Sequence, residues 1–308
     1  MNTPEMMATS NLPTDGCLLV DKPQGLTSQQ VVSRVKRALG VRKAGHAGTL
    51  DPMATGLLIV GLGRATRLLG YLSGQDKQYA ATIRLGQATT TDDAEGEPIG
   101  HPQLASHLST TAIEAAIGVY RGAIEQTPSA VSAIKVQGRR AYDLVRQGET
   151  PQLKSRQVMI TRYDLVQRAD QGDWVDLEVI VDCSTGTYIR ALARDLGQDL
   201  GVGGHLTRLR RTRAGQFAVE DAVDLEAVSL EAILPLATMA RAVAPAVQVR
   251  EDEARAVGYG RGLDLLLPAE VAAVFYGERF LGLYRQEAET GRAEPLAVFI
   301  DPSEEHNE

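Results

Sequence analysis

The 308-residue sequence has few cysteines and few aromatic residues: it contains two cysteines, one tryptophan and four phenylalanines. Two cysteines exclude a disulfide-stabilised scaffold and a four-cysteine zinc site. The sequence also lacks an apolar run that approaches the roughly 18 residues of a membrane-spanning helix. Residues 1–13 have neither the basic head nor the hydrophobic stretch of a secretory signal. These absences predict a protein of the reducing cytoplasm that is neither embedded in a membrane nor exported.

The charge is divided unevenly along the chain. Residues 220–308 contain 18 acids and 7 bases, whereas residues 1–219 contain 21 acids and 25 bases. Residues 22–67 include eight bases and a single acid, Asp51, and residues 190–213 include six arginines and two aspartates. Lysine and arginine displace condensed counterions from a phosphate backbone, so two such segments suit a nucleic-acid partner. Charge alone is equally compatible with two solvated protein faces.

One helix near the amino terminus is indicated by both its ends and its apolar stripe. Thr27 or Ser28 can cap it, valines recur at helical spacing, and Gly40 is placed to end it. Its outer face carries Arg34 and Arg37.

Apolar runs and alternating patterns predict several strands. A capping-box pattern at residues 111–114 predicts the start of a short helix, and residues 184–186 form a turn into a helix that carries Arg190 and Arg194. Residues 271–276 and 280–284 indicate a hairpin in a small β-rich module. The strands predicted in the first two thirds of the chain are residues 18–20, 57–62, 79–85 and 174–183.

The loop at residues 45–52 has the composition of a reactive site. Two glycines allow close approach to another molecule, and Pro52 stiffens the chain after Asp51. In a basic field Asp51 stays ionised and can act as a nucleophile or a base. The alternative is an aspartate that caps a turn or pairs with one arginine. A metal site is disfavoured because His46 and Asp51 have no third ligand nearby.

Five segments resemble a known family in the same order. The loop GHAGTLDP at residues 45–52 resembles the catalytic motif of the TruB family of tRNA pseudouridine synthases, which form pseudouridine in the T-loop. The resemblance spans about residues 16–217. The other matching segments are residues 22–28 (KPQGLTS), 77–79 (KQY), 183–190 (CSTGTYIR) and 209–212 (LRRT).

Three positions depart from the family pattern. Ser129 and Val131 stand where the family usually has a proline and an aromatic residue, and Thr185 replaces a common lysine. The resemblance places these positions in RNA-facing loops, so they bear on affinity and leave the reaction unchanged.

The resemblance implies a pseudouridine-synthase fold of the α+β class. Its central, mostly antiparallel sheet is flanked by helices and followed by a small β-rich domain that resembles PUA domains. The expected divisions are a tail at residues 1–13, a catalytic domain at 14–245 with an RNA-binding excursion at about 126–157, a PUA-like domain at 246–302 and a tail at 303–308.

The resemblance also implies the roles of individual residues. The uridine at tRNA position 55 must leave its stack, which costs a few kcal/mol, and an aromatic platform contributes about 1–3 kcal/mol per base. Tyr79 packs on the flipped base, and Asp51, paired with Arg190, is the catalytic carboxylate. Without the motif, Tyr79, Tyr188 and Leu209 are equally well read as core residues. The remaining implied contacts are His46, Lys22, Tyr188 and Leu209 for the substrate, and Arg34, Arg37, Arg210 and Arg211 for the RNA backbone.

An isomerisation needs no redox change, group donor or metal, so we expect no cofactor. The expected partner is the T-stem-loop of tRNA, bound by a monomer without an obligate protein partner. Two alternatives stay open: a tRNA-folding factor that binds the T-loop with catalysis secondary, and a guide-dependent relative that acts on ribosomal RNA.

Overall fold

A large sheet and a smaller carboxy-terminal sheet organise the molecule. Most of the predicted excursion at residues 126–157 lies outside the described residues. None of the helices in the described part of the chain has the length and apolar character to span a membrane. The computed structural model describes residues 15–129, 135–136, 139–140 and 153–300.

Strands outnumber helices throughout the described residues. The helices are α1 (Ser28–Leu39), α2 (Leu69–Ser73), α3 (Thr110–Val119), α4 (Ile189–Asp199), α5 (Leu236–Val243) and α6 (Glu251–Gly258), with 3-10 turns at Gly63–Leu68, Val219–Asp221 and Leu225–Ala227. The strands are β1 (Gly16–Lys22), β2 (Ala44–Ala47), β3 (Thr55–Leu62), β4 (Lys77–Leu85), β5 (Ala88–Thr89), β6 (Pro98–Ile99), β7 (Gly122–Gln126), β8 (Lys135–Val136), β9 (Arg139–Arg140), β10 (Arg156–Gln171), β11 (Trp174–Cys183), β12 (Gly204–Ala214), β13 (Phe217–Ala218), β14 (Val223–Asp224), β15 (Leu234–Pro235), β16 (Ala246–Gln248), β17 (Val271–Tyr276), β18 (Arg279–Gln286) and β19 (Ala293–Val298).

The large sheet has the order β14-β1-β3-β12-β4-β11-β10-β7, with β2, β13 and β15 paired at its sides. Within the described residues, the pairs β1 with β14 and β3 with β12 are parallel, and the other pairs of this sheet are antiparallel. The mostly antiparallel α+β architecture is therefore confirmed.

Alternation along the central strands separates two faces of the sheet. In β4, buried and partly exposed residues alternate without interruption from Lys77 to Leu85. The buried face packs beneath α3 and α4 in one apolar core, and Tyr79 and Leu209 belong to that core. In the pairing of β4 with its two neighbouring strands, Tyr79 lies opposite Val181 on β11 and opposite Arg211 on β12.

The predicted helix ends near the amino terminus are confirmed. Thr27 caps α1 through a capping box with Gln30, and Gly40 ends the helix in the left-handed region with φ of 65°. A glycine suits this position because other residues are strained there.

Two local predictions were wrong in detail. The cap of α3 is Ser109, whose side chain accepts from Ala112 N at 3.1 Å, and not Thr111. The loop predicted at residues 45–52 begins later than expected, because β2 extends to Ala47 by pairing with β3. In the first case Ser109 supplies the capping hydrogen bond, and in the second case β3 supplies the strand with which β2 pairs.

The predicted carboxy-terminal hairpin is confirmed as β17 and β18 of a four-stranded sheet. This sheet packs on the large one through a shared apolar core that includes Phe280 and Phe299. Arg64 and Arg67 donate to the carbonyl oxygens of Phe299 and Val298, each at 2.6 Å. Two bases of the 22–67 segment therefore join the two sheets.

Candidate active site

The loop between β2 and β3 carries Asp51 and is held on both sides of that residue. The Ser28 hydroxyl at the start of α1 accepts from Leu50 N at 2.8 Å and donates to Leu50 O at 3.1 Å. Gly25 N donates to Pro52 O at 2.8 Å. The segment that precedes α1 therefore fixes the main chain immediately before and after the carboxylate.

Asp51 and Arg190 form an ion pair. Arg190 Nη2 lies 2.9 Å from Asp51 Oδ2, and the two side chains are 9% and 33% exposed, respectively. Arg190 is in the first turn of α4, which emerges from β11 through the turn at residues 184–186. The geometry thus presents a charged carboxylate at the rim of the core with its counter-ion buried behind it.

Arg190 also binds a second carboxylate, Asp93, which the sequence analysis missed. Arg190 Nη1 lies 3.3 Å from Asp93 Oδ2 and 3.0 Å from Thr91 O, and Asp93 is buried. One turn later on α4, Arg194 Nη1 lies 3.1 Å from Asp92 Oδ2. The sequence analysis did not single out Asp92 and Asp93, because nothing in the polar run at residues 89–96 shows that α4 lies alongside.

Tyr79 and Leu209 belong to the apolar core that also contains Leu50, the neighbour of Asp51, and Tyr188 directly precedes α4. Tyr79 and Leu209 are buried. Burial raises the pKa of Tyr79, and the nearby guanidinium of Arg211 opposes this effect. Tyr188 is half-buried, and its main chain bonds the amide of Gln126 at 2.9 and 3.2 Å. Gln126 is a second residue that the sequence analysis missed, because its partner is 62 residues away.

Lys22 is buried against the Asp51 loop and hydrogen-bonds to it. It has no exposed surface, and its Nζ donates to Pro23 O at 2.9 Å and to Pro52 O at 3.3 Å. Burial lowers its pKa to about 8, and the charge of Asp51 acts in the opposite direction. Lys22 therefore contacts the Asp51 loop in this structure, and its contact with the substrate stays a prediction.

His46 lies on β2, directly before the loop. Its Nδ1 is buried and has no hydrogen-bond partner among the described residues. Burial lowers its pKa, and Arg211 lowers it further. A neutral imidazole therefore faces the site at neutral pH.

The four arginines predicted to bind the RNA backbone occupy different environments. Arg34 and Arg37 are exposed on α1. Arg210 forms a bidentate pair with Asp21, with N–O distances of 3.0 and 2.6 Å. Arg211 is 1% exposed, because alternation along β12 directs its side chain into the protein, where it donates to Gly48 O of the Asp51 loop. Its contact with the RNA backbone stays a prediction.

The sequence matches known family models and curated proteins over most of its length. Residues 36–189 match the TruB family pseudouridylate synthase (N terminal domain), and residues 190–246 match the tRNA pseudouridylate synthase B C-terminal domain. A tRNA pseudouridine synthase B from Cutibacterium acnes is 51% identical over 297 residues, which cover 94% of this chain and 100% of the relative. Its counterpart from Thermobifida fusca is 48% identical over 291 residues, covering 92% and 98%.

Solved structures show the same fold. A chain of the crystal structure of a Cbf5-Nop10-Gar1 complex is 25% identical with a TM-score of 0.71, covering 94% of this chain and 86% of that chain. A chain of an H/ACA RNP bound to a substrate RNA containing 2'-deoxyuridine is 23% identical with a TM-score of 0.70, covering 94% and 86%. The chain therefore belongs to the TruB family of pseudouridylate synthases, which are isomerases.

Proposed function

We propose that this protein converts the T-loop uridine at tRNA position 55 to pseudouridine, with Asp51 as the catalytic carboxylate. The observation that carries the proposal is the 2.9 Å ion pair between Asp51 and Arg190 at the rim of an apolar core. The two relatives of about 50% identity are both named tRNA pseudouridine synthase B, which supports tRNA as the substrate.

The reaction breaks the bond between the sugar C1' and N1 of uracil and forms a bond from C1' to C5. C5 then loses its proton and N1 gains one, so that the product is an isomer of the substrate. Asp51 attacks the nucleotide or removes a proton from it. Arg190 orients Asp51 through their ion pair. Exclusion of water by Tyr79, Tyr188 and Leu209 keeps the detached uracil in place until it is rejoined.

The flipped base and the RNA backbone are held by different groups. Tyr79 stacks on the extruded uracil, and His46 helps to hold the flipped conformation. Arg34 and Arg37 bind phosphates from the exposed face of α1, whose first turn is tied to the Asp51 loop through Ser28. Arg210 is less available for phosphate, because Asp21 already pairs with it.

The domain division follows the same proposal. Residues 14–245 form the catalytic domain, and residues 246–302 form a PUA-like RNA-binding domain that contains the second sheet. The enzyme works as a cytoplasmic monomer without a guide RNA. Higher identity to the tRNA pseudouridine synthases B than to the chain of the Cbf5-Nop10-Gar1 complex favours this choice.

Purified protein incubated with an unmodified T-stem-loop, without guide RNA, tests the proposal. Carbodiimide mapping should show pseudouridine at position 55 with wild-type protein and none with Asp51→Asn, while the variant still binds tRNA. Product formation by Asp51→Asn at the wild-type rate would contradict the catalytic assignment. Product only after a guide RNA is added would support the guide-dependent alternative, and binding without any product would support the folding factor.

A further inference from the structure

Arg211 lies inside the protein at a point where it contacts both sides of the Asp51 loop. Its Nε donates to Leu57 O at 2.7 Å, and its Nη2 donates to Gly48 O at 3.0 Å. Gly48 precedes Asp51 by three residues, and Leu57 lies in β3 beyond the loop. One guanidinium therefore spans the two ends of the segment that carries Asp51.

At two glycines of this segment, the main chain lies very close to Arg211. A Cβ on Gly48 would lie 3.1 Å from Arg211 Nη1 and 3.4 Å from Lys77 Cε, and the φ of Gly48 is +75°. A Cβ on Gly56, which has φ of +97°, would overlap the main-chain oxygen of Arg211. The loop therefore approaches Arg211 more closely than residues with side chains allow.

The position of Arg211 also brings its charge next to the other groups of the site. It is the cross-strand neighbour of Tyr79, and its Nη1 has no hydrogen-bond acceptor among the described residues. Burial raises the pKa of Tyr79, and the charge of Arg211 opposes that rise. Burial lowers the pKa values of His46 and Lys22, and the charge of Arg211 adds to that lowering.

We propose that Arg211 is a positioning residue that holds the Asp51 loop at the distance from α4 at which Asp51 meets Arg190. Arg211 does not touch the RNA, because its side chain is buried. This inference rests on the proposed role of Asp51. The arginine-rich strand that carries Arg211 suggests a contact with RNA phosphate. The inference instead assigns Arg211 a role inside the protein.

The chemistry of the two carbonyl groups explains why an arginine is needed. A guanidinium offers several donors in a fixed fork and can reach Gly48 O and Leu57 O together. A lysine keeps the charge but presents one ammonium group, which cannot reproduce the fork. A methionine removes the charge and both donors to these carbonyl oxygens.

The experiment compares Arg211→Lys and Arg211→Met with Arg208→Lys and Arg208→Met. Arg208 is on the same strand but is exposed on the opposite face. Single-turnover pseudouridine formation, tRNA affinity and the folded fraction by circular dichroism are measured for each variant. We expect Arg211→Lys to lower the single-turnover rate about 10- to 100-fold with unchanged tRNA affinity, and Arg211→Met to lower it further. The Arg208 variants should keep the wild-type rate.

A double-mutant comparison with Gly48→Ala keeps the test informative if Arg211→Met folds poorly. If Arg211 acts through Gly48, the combined loss with Arg211→Lys should be smaller than the product of the single losses. Independent losses, a wild-type rate for Arg211→Lys, or a loss confined to tRNA affinity would overturn the inference. Wild-type protein that forms no pseudouridine would instead overturn the proposed function, so the two failures are distinguishable.

Discussion

At the scale of single residues, Arg190 pairs with one carboxylate that is partly exposed and with another that is buried. Asp51 reaches solvent at the rim of the site, whereas Asp93 is buried on the other side of the same guanidinium. A buried charge is tolerated when it is paired and hydrogen-bonded, and Asp93 also accepts from Glu95 N at 3.0 Å. Asp93 therefore helps to orient Arg190 toward Asp51.

Replacing Asp93 with asparagine should weaken this orientation. We expect Asp93→Asn to slow single-turnover pseudouridine formation by about 10- to 100-fold, because a small misplacement of a positioning group has an effect of that size. The affinity for tRNA should change little, since Asp93 is buried. Rapid-quench kinetics and a binding titration measure the two quantities separately.

Asp92→Asn is the matched control for this substitution. Asp92 is the adjacent residue, it pairs with Arg194 and not with Arg190, and its φ of 60° is one that asparagine tolerates. It should cost clearly less activity than Asp93→Asn. Equal losses for the two variants would show that the acidic loop acts as a whole and that Asp93 has no separate role.

At the scale of secondary-structure elements, α1 serves two purposes. Its inner face packs into the core through valines such as Val31 and Val35, while its first turn holds the Asp51 loop through Ser28. The helix thus connects the exposed arginines on its outer face to the carboxylate. A serine at this place is more than a capping residue, because Thr27 already fills that role.

Ser28→Ala should remove both hydrogen bonds to Leu50 and leave a buried N–H and C=O without partners. We expect it to reduce the free energy of unfolding by about 1–3 kcal/mol and to lower the turnover rate, as measured by urea unfolding and steady-state kinetics.

Ser33→Ala in the same helix is the control, because Ser33 is exposed and bonds only Gln29 O. It should change neither quantity appreciably. An unchanged turnover rate in Ser28→Ala would mean that the loop keeps its position without this contact.

At the scale of the whole molecule, the basic segments contain both exposed bases and bases that stabilise the protein's own structure. Arg64 and Arg67 join the two sheets, Lys22 and Arg211 hydrogen-bond to the Asp51 loop from inside the protein, and Arg210 pairs with Asp21. The exposed bases Arg34 and Arg37 show no carboxylate partner within the described part of the chain. The net charge of a segment therefore overstates its contact with RNA.

Charge reversal of both Arg34 and Arg37 should weaken tRNA binding and flatten its dependence on salt. Each lost phosphate contact reduces the slope of log affinity against log salt by about 0.7–0.9. Titrations at several salt concentrations measure this slope. Arg208→Glu is the control, because Arg208 lies on the opposite face of the sheet.

Tyr79→Ala, in contrast, should mainly slow turnover. Equal effects of the arginine and tyrosine variants in both assays would contradict this division of roles.

The elements that were predicted correctly share a local cause. Strand β11 alternates apolar and polar residues over its whole length, and α1 carries its own cap and its own terminating glycine. These signals involve neighbours a few residues apart, so they can be read without knowing the rest of the chain. The Asp51 motif and the pairing with Arg190 came from the resemblance to a family, since nothing local connects residues 139 positions apart.

Periodicity and capping signals are enough to give the main strands and α1, and the resemblance to a family gives the α+β class and the residues around which the site is built. Packing in three dimensions sets the direction of each side chain and hence its role. On one strand, neighbouring arginines at 210 and 211 point to opposite faces: the first pairs with Asp21 and the second donates to the Asp51 loop. The physical reason is that burial and hydrogen-bond partners depend on strands and helices that lie far away along the chain, as the contacts of Asp93, Ser28 and Arg211 show.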